Sequence, residues 1–157
     1  MSVEIGKSAP QFSLKNQDGI EISLKDLKGR WIVLYFYPKD NTPGCTIEAC
    51  DFSAALPNFR ELDAVILGVS PDSVKSHQNF IQKQNITFTL LSDEEKETIK
   101  SYDIWKLKKN YGKEYMGVER STFLIDTEGK IAKIWRKVSV SGHSEEVKQA
   151  LLDLQKR

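Results

Sequence analysis

At 157 residues the chain has the length of one domain, 1–157, and a chain of this size buries roughly 68–70% of its unfolded surface without a covalent staple. Twenty-three Lys and Arg against 22 Asp and Glu leave a net charge of +1, so neither a nucleic-acid partner nor an acidic tail is expected. No stretch nears the roughly 18 apolar residues of a membrane span, and Met1–Lys7 lacks the apolar core of a secretion signal. The expected location is the cytoplasm, where a cysteine pair is more often redox-active or metal-binding than structural.

The first predicted element is a hairpin, Phe12-Ser13-Leu14 and Ile20-Glu21-Ile22 around Asp18-Gly19. Ser23 is placed as the cap of a short turn ending at Gly29. Trp31 to Tyr37 shows no polar alternation, which suits a central strand covered on both faces. The Pro38–Gly44 loop leads into a helix read over Cys45 to Leu56, with Pro57 breaking it or opening a second turn. Val65 to Ser70 reads as a second buried strand, Ser73 to Gln84 as a helix with Val74, Phe80 and Ile81 inward, and Phe88 to Leu91 as a third strand. Asp93 to Tyr102 reads as a short polar helix capped by Ser92 or Asp93. Residues 103–117 show no period, and Trp105 and Tyr111 there read as partly buried loop anchors, with lining of the pocket or a docking face as the alternative. Ser121–Ile125 and Lys130–Trp135 form a second hairpin, and Gly142 to Gln155 an amphipathic helix with Val147, Ala150, Leu151 and Leu154 inward. Alternating strands and helices give a parallel core sheet, and the late hairpin adds antiparallel edges. The fold class is α/β: a thioredoxin-like sandwich with a mixed central sheet, flanking helices and an N-terminal β-hairpin.

The chemistry concentrates where the first long strand meets its helix. Cys45 and Cys50, the only cysteines, both lie there. A free thiol titrates at about 8.5, and the thiolate is the nucleophile. A cysteine in the first turn of a helix sits near unpaired N–H groups and the positive end of the dipole, which favour the thiolate. The Thr42 hydroxyl is expected to reach the sulfur or an incoming oxygen, and Pro38 and Pro43 to stiffen the loop. On one continuous helix a five-residue separation puts the two Cα atoms about 8–9 Å apart, beyond the roughly 7 Å a disulfide tolerates. Either no bond forms or the helix locally unwinds. Inert core cysteines are the bland alternative; zinc spacing with His77 and His143 is missing, as is a Cys-x-x-Cys pair.

The string Tyr35-Phe36-Tyr37-Pro38-Lys39-Asp40-Asn41-Thr42-Pro43-Gly44-Cys45-Thr46, with Pro38-x-x-x-Thr42-x-x-Cys45 inside it, resembles the active-site motif of the peroxiredoxins. With Cys50 placed as it is, it resembles their Q-type branch, also called bacterioferritin comigratory protein. Gly6–Phe12, Leu67–Ser73 and Arg120–Asp126 also resemble segments of that family, so the likeness spans essentially the whole chain. The resemblance implies that Cys45 is the peroxidatic cysteine and Cys50 the resolving one, joined in an intramolecular disulfide that a thioredoxin-type reductant restores. It implies that Arg120 stabilises the thiolate and polarises the peroxide, that Thr42, Gly44, Cys45 and Arg120 hold the substrate, and that Pro38 shields the pocket. It implies hydrogen peroxide and organic hydroperoxides as substrates. Spacing argues against a metal, charge and hydropathy argue against nucleic-acid and membrane partners, no cofactor is expected, and a cysteine pair within one chain removes the need for a dimer, so a monomer is expected. Glu48 is read either as a partner of Arg120 or as a solvated carboxylate favoured by the dipole. Lys39 and Asp40 are read as surface charges, Lys106, Lys108 and Lys109 as a solvated face, His77 and His143 as surface or cap residues, and Trp31, Phe36 and Trp135 as core. The rival reading is a thioredoxin-like redox-sensing or relay module without turnover.

Overall fold

The apolar run that starts at Trp31 becomes an inner strand of a mixed sheet because its two faces feed two different cores. In the computed structural model, which describes residues 3–156, it forms β3, Trp31–Phe36. Met1, Ser2 and Arg157, part of the opening stretch and the 1–157 span read above, lie outside the described residues. Val33 and Tyr35 face a core shared with Phe52, Phe59, Phe80, Val147 and Leu151. Ile32, Leu34 and Phe36 face a second core with Leu67, Val69, Ile99, Tyr102 and Phe123. The period of two is present, but both faces are apolar, so hydropathy hides it.

The N-terminal hairpin is β1, Ser13–Asn16, with β2, Glu21–Ser23, followed by a 3-10 turn over Leu24–Leu27. After β3 come α1, Pro43–Glu61; β4, Ala64–Ser70; α2, Val74–Gln84; β5, Thr89–Ser92; and α3, Glu97–Ser101. Then follow β6, Trp105–Asn110; β7, Lys113–Val118; β8, Ser121–Ile125; β9, Ile131–Trp135; and α4, His143–Gln155. Seven strands make one sheet in the order β2-β1-β5-β4-β3-β8-β9. β3, β4 and β5 are parallel, while β1, β8 and β9 run antiparallel to their neighbours. Helices α1, α2 and α4 supply the first core; α3 and the N-terminal segment cover the other face.

Three expectations are corrected. Pro57 lies inside α1 rather than ending it. A proline leaves the carbonyl four residues back without its helical donor; here that carbonyl is Ser53's, and the Thr87 hydroxyl donates to it at 3.5 Å. Residues 103–117 are not a patternless loop but the β6–β7 hairpin, a separate two-stranded sheet turning at Tyr111 and Gly112, both at positive φ. Its outer faces are solvated, so no apolar alternation marks it, and Tyr111 is fully exposed rather than an anchor. The helix expected over Asp93 to Tyr102 contracts to Glu97–Ser101, because Asp93 turns its carboxylate onto the Ile99 N–H at 2.8 Å instead of starting a helix itself.

Candidate active site

Helix α1 opens with Thr42 at the N-cap and Pro43 in the first helical position, so Cys45 stands in the first turn. Pro43 has no N–H, and the Gly44 and Cys45 N–H groups find no acceptor among the described residues. The first bond of the helix is Thr46 N–H to Thr42 O at 2.9 Å. Two free donors therefore flank the sulfur at the positive end of the helix. The Thr42 side chain does not cap the helix and makes no hydrogen bond to Cys45. It donates to the Lys39 carbonyl at 2.8 Å, which fixes the turn.

Arg120 immediately precedes β8, whose antiparallel pairing with β3 sets Ser121 opposite Phe36. That register brings the side chain over the start of α1. Its Nη2 donates to Cys45 Sγ at 3.2 Å and its Nη1 to Glu48 Oε1 at 2.6 Å. Gly44 allows this approach: a Cβ there would stand 3.3 Å from Nη2. Burial disfavours the guanidinium charge, but Glu48 and then Cys45 outweigh it and raise the group above its ordinary range.

Glu48 is buried, which removes the solvated alternative. Helical spacing puts it on the inward face with Cys45, Ala49 and Phe52. Burial pushes its carboxyl up to about 7, against the opposing pull of Arg120. Its second oxygen, Oε2, has no hydrogen-bond partner among the described residues, and neither has the buried Tyr35 hydroxyl. Burial, then Glu48 and Cys45, hold the Tyr35 phenol well above its usual range, so it stays neutral. Lys108 of β6 is half-buried rather than solvated, and burial followed by Arg120 lowers its ammonium.

Cys45 is buried and Cys50 half-buried, both are free, and both belong to the unbroken α1. Cys50 Sγ has one polar neighbour, Gln84 Oε1, at 4.0 Å. Pro38 is half-buried just past the end of β3, while Pro43 is exposed.

The residues read as surface charges and histidines are the larger surprise. Asp40 and His77 are buried, with His77 Nδ1 and Asp40 Oδ2 2.8 Å apart. Spacing with Val74, Phe80 and Ile81 was the signal that could have placed His77 inward. His143 opens α4 but is also buried, 2.8 Å from the Thr122 hydroxyl. Burial lowers its imidazole, and Glu146 at 3.0 Å opposes that. Asp40, Asp72 and His77 form the one group of metal-ligating types brought together among the described residues. Their facing atoms are already spent on one another and on Tyr37, Ser70 and Ser76.

A model of the AhpC/TSA family matches residues 5–134. The chain belongs to that family. It is 56% identical to Peroxiredoxin Bcp of Bacillus subtilis over 157 residues, the full length of both chains. It is 51% identical to a putative peroxiredoxin bcp of Coxiella burnetii over 94% of this chain and 97% of the relative. The Xanthomonas campestris bacterioferritin comigratory protein, a structure concerned with alkyl peroxide reduction, superposes with a TM-score of 0.90 at 45% identity, covering 96% of this chain and 98% of that one. Peroxiredoxin Q of Xylella fastidiosa gives a TM-score of 0.93 at 42% identity over 99% of both chains. The fold is thus thioredoxin-like, and the chain is a Q-type peroxiredoxin, a thiol peroxidase. No helix among the described residues is long and apolar enough to cross a membrane.

Proposed function

We propose that this peroxiredoxin reduces hydrogen peroxide and organic hydroperoxides at Cys45, and that Cys50 and a thioredoxin-type dithiol complete the cycle. One observation carries the reading: a buried cysteine in the first turn of α1 receives a hydrogen bond from Arg120 beside two unpaired backbone donors. The Cys45 thiolate attacks one peroxide oxygen. An S–O bond forms, the O–O bond breaks, and the departing oxygen takes a proton to leave as water or an alcohol. Arg120 and the Gly44 and Cys45 N–H groups stand where negative charge develops on the oxygens, the arrangement that lowers such a barrier most. Pro38 limits water at the strand end. Thr42 acts through the turn it locks onto Lys39 O, and Glu48 orients the guanidinium.

The product is a sulfenic acid on Cys45. The Cys50 thiolate attacks that sulfur, an S–S bond forms and water leaves. An external dithiol then reduces the disulfide by exchange, itself ending as a disulfide. Because both cysteines lie on α1, the S–S bond requires the first turns of the helix to unwind. The chain, 1–157, works as one domain, as a cytoplasmic monomer, without metal or cofactor.

Steady-state peroxide consumption coupled to thioredoxin tests this. Cys45→Ser abolishes turnover. Cys50→Ser retains the first peroxide reaction, loses efficient recycling and over-oxidises at Cys45 sooner, as read by mass spectrometry. Wild type that reacts with one equivalent but never turns over would instead make the chain a sensor or relay.

A further inference from the structure

The buried cluster around Asp40 has no part in the chemistry above, yet it grips the turn from which α1 starts. Asp40 lies two residues before the N-cap, and between them Asn41 sits at φ 62, a left-handed turn. The Asp40 N–H donates to Asp72 Oδ2 at 2.8 Å, and the Ser70 hydroxyl holds that same oxygen at 2.6 Å. The Asp40 carboxylate accepts the Tyr37 hydroxyl on Oδ1 at 2.6 Å and the Ser76 hydroxyl on Oδ2 at 2.8 Å. His77 Nδ1 meets Oδ2 at 2.8 Å, while Nε2 meets the Leu91 carbonyl at 2.9 Å. A carbonyl only accepts, so Nε2 carries hydrogen, and Nδ1 and Oδ2 share one further hydrogen between them. The Asp40 backbone thereby ties the active-site turn to the β4–α2 loop, and its side chain ties it to α2 and, through the His77 ring, to β5.

We propose that Asp40 is a positioning residue for peroxide reduction: its carboxylate clasps the turn before α1, holds the helix start that carries Cys45, and resists the unwinding that the Cys45–Cys50 disulfide requires. The clasp works on the two steps in opposite senses. Peroxide reacts with the wound helix, where Arg120 reaches Cys45; the disulfide forms from the unwound one. Loosening the turn therefore slows the first step and speeds the second. A side chain that merely supported the fold would not divide its effect that way. The inference rests on the roles given to Cys45 and Cys50 above.

The test compares wild type with Asp40→Ala and Asp40→Asn. In Asp40→Ala the second-order reaction with peroxide, followed by stopped-flow tryptophan fluorescence, slows by roughly tenfold, the scale of a lost hydrogen bond to a charged group. The subsequent first-order disulfide step accelerates, and over-oxidation at high peroxide falls. Asp40→Asn keeps the shape and part of the bonding and recovers part of both shifts. If Asp40→Ala does not fold, Ser76→Ala, which removes a single donor, shows the same opposed shifts at smaller size. Both steps slowing together, or neither moving, overturns the proposal. A second arm uses reduced protein and no peroxide: amide exchange over residues 41–49 quickens in Asp40→Ala, and unchanged exchange overturns the clasp. A wild type that forms no disulfide with one equivalent of peroxide would defeat the roles of Cys45 and Cys50, and the exchange arm alone would then decide the clasp.

Discussion

Two polar clusters flank the same seven-residue turn, and they differ in how completely they are satisfied. Around Asp40 the carboxylate oxygens, the ring nitrogens of His77 and the neighbouring hydroxyls all have partners at 2.6–2.9 Å. Around Cys45 the Gly44 and Cys45 N–H groups, Glu48 Oε2 and the Tyr35 hydroxyl are left over. A buried polar group without a partner costs about 1–3 kcal/mol, so the second cluster is a poor way to build stability. It is a good way to leave donors ready for a charge that exists only during reaction. On the roles proposed above, the closed cluster holds position and the open one does the chemistry.

The sharpest way to break this contrast is Arg120→Met. The peroxide step slows by roughly 10²–10³, the scale for one preorganised donor, while the Asp40 cluster keeps its order. A stopped-flow rate within a few-fold of wild type would show that Cys45 does not depend on the guanidinium. Gly44→Ala is a finer probe. Its Cβ arrives 3.3 Å from Arg120 Nη2 and displaces the guanidinium slightly, so the peroxide step falls about tenfold. The backbone there is ordinary helix and alanine favours helix over glycine by roughly 0.5–1 kcal/mol, so the thermal midpoint does not fall. Activity and stability part company at this position; a parallel loss of both would contradict the picture of an open cluster.

The smallest effect concerns pH. Glu48 moves from an ordinary 4.5 in the unfolded chain to about 7 in the fold. Between those values the folded state binds the extra proton, so stability falls as pH rises through that window and levels off above it. Glu48→Gln removes the titration and flattens stability against pH from about 4.5 to 7. Urea midpoints measured at several pH values decide this, and an unchanged slope would mean that Glu48 is ionised throughout.

The sequence carried the sheet and the reacting residues unequally. Strands β3, β4 and β8 and the Cys45 turn were legible because long apolar runs and the Pro38-x-x-x-Thr42-x-x-Cys45 spacing are strong local signals. The role of Arg120 came from resemblance, while the placement of its strand beside the strand before Cys45 agrees with the β3–β8 pairing. Asp40 and His77 were misplaced on the surface because polar residues are usually exposed, and their burial depends on partners 37 residues apart. The β6–β7 hairpin shows no period in the sequence because only its ends, Trp105 and Val118, reach the core, while Leu107, Tyr115 and Met116 are exposed.

Pro57 has a consequence for how far α1 can come apart. A helix frays by losing its rungs in succession, and the rung between Ser53 and Pro57 is missing from the start, replaced by a tether from Thr87. Fraying that begins at Pro43 meets this firebreak after Cys50, where Leu56 and Phe59 remain buried in the core. On the proposed unwinding, Pro57 marks where the loosened segment with both sulfurs meets a part of α1 held by Leu56 and Phe59.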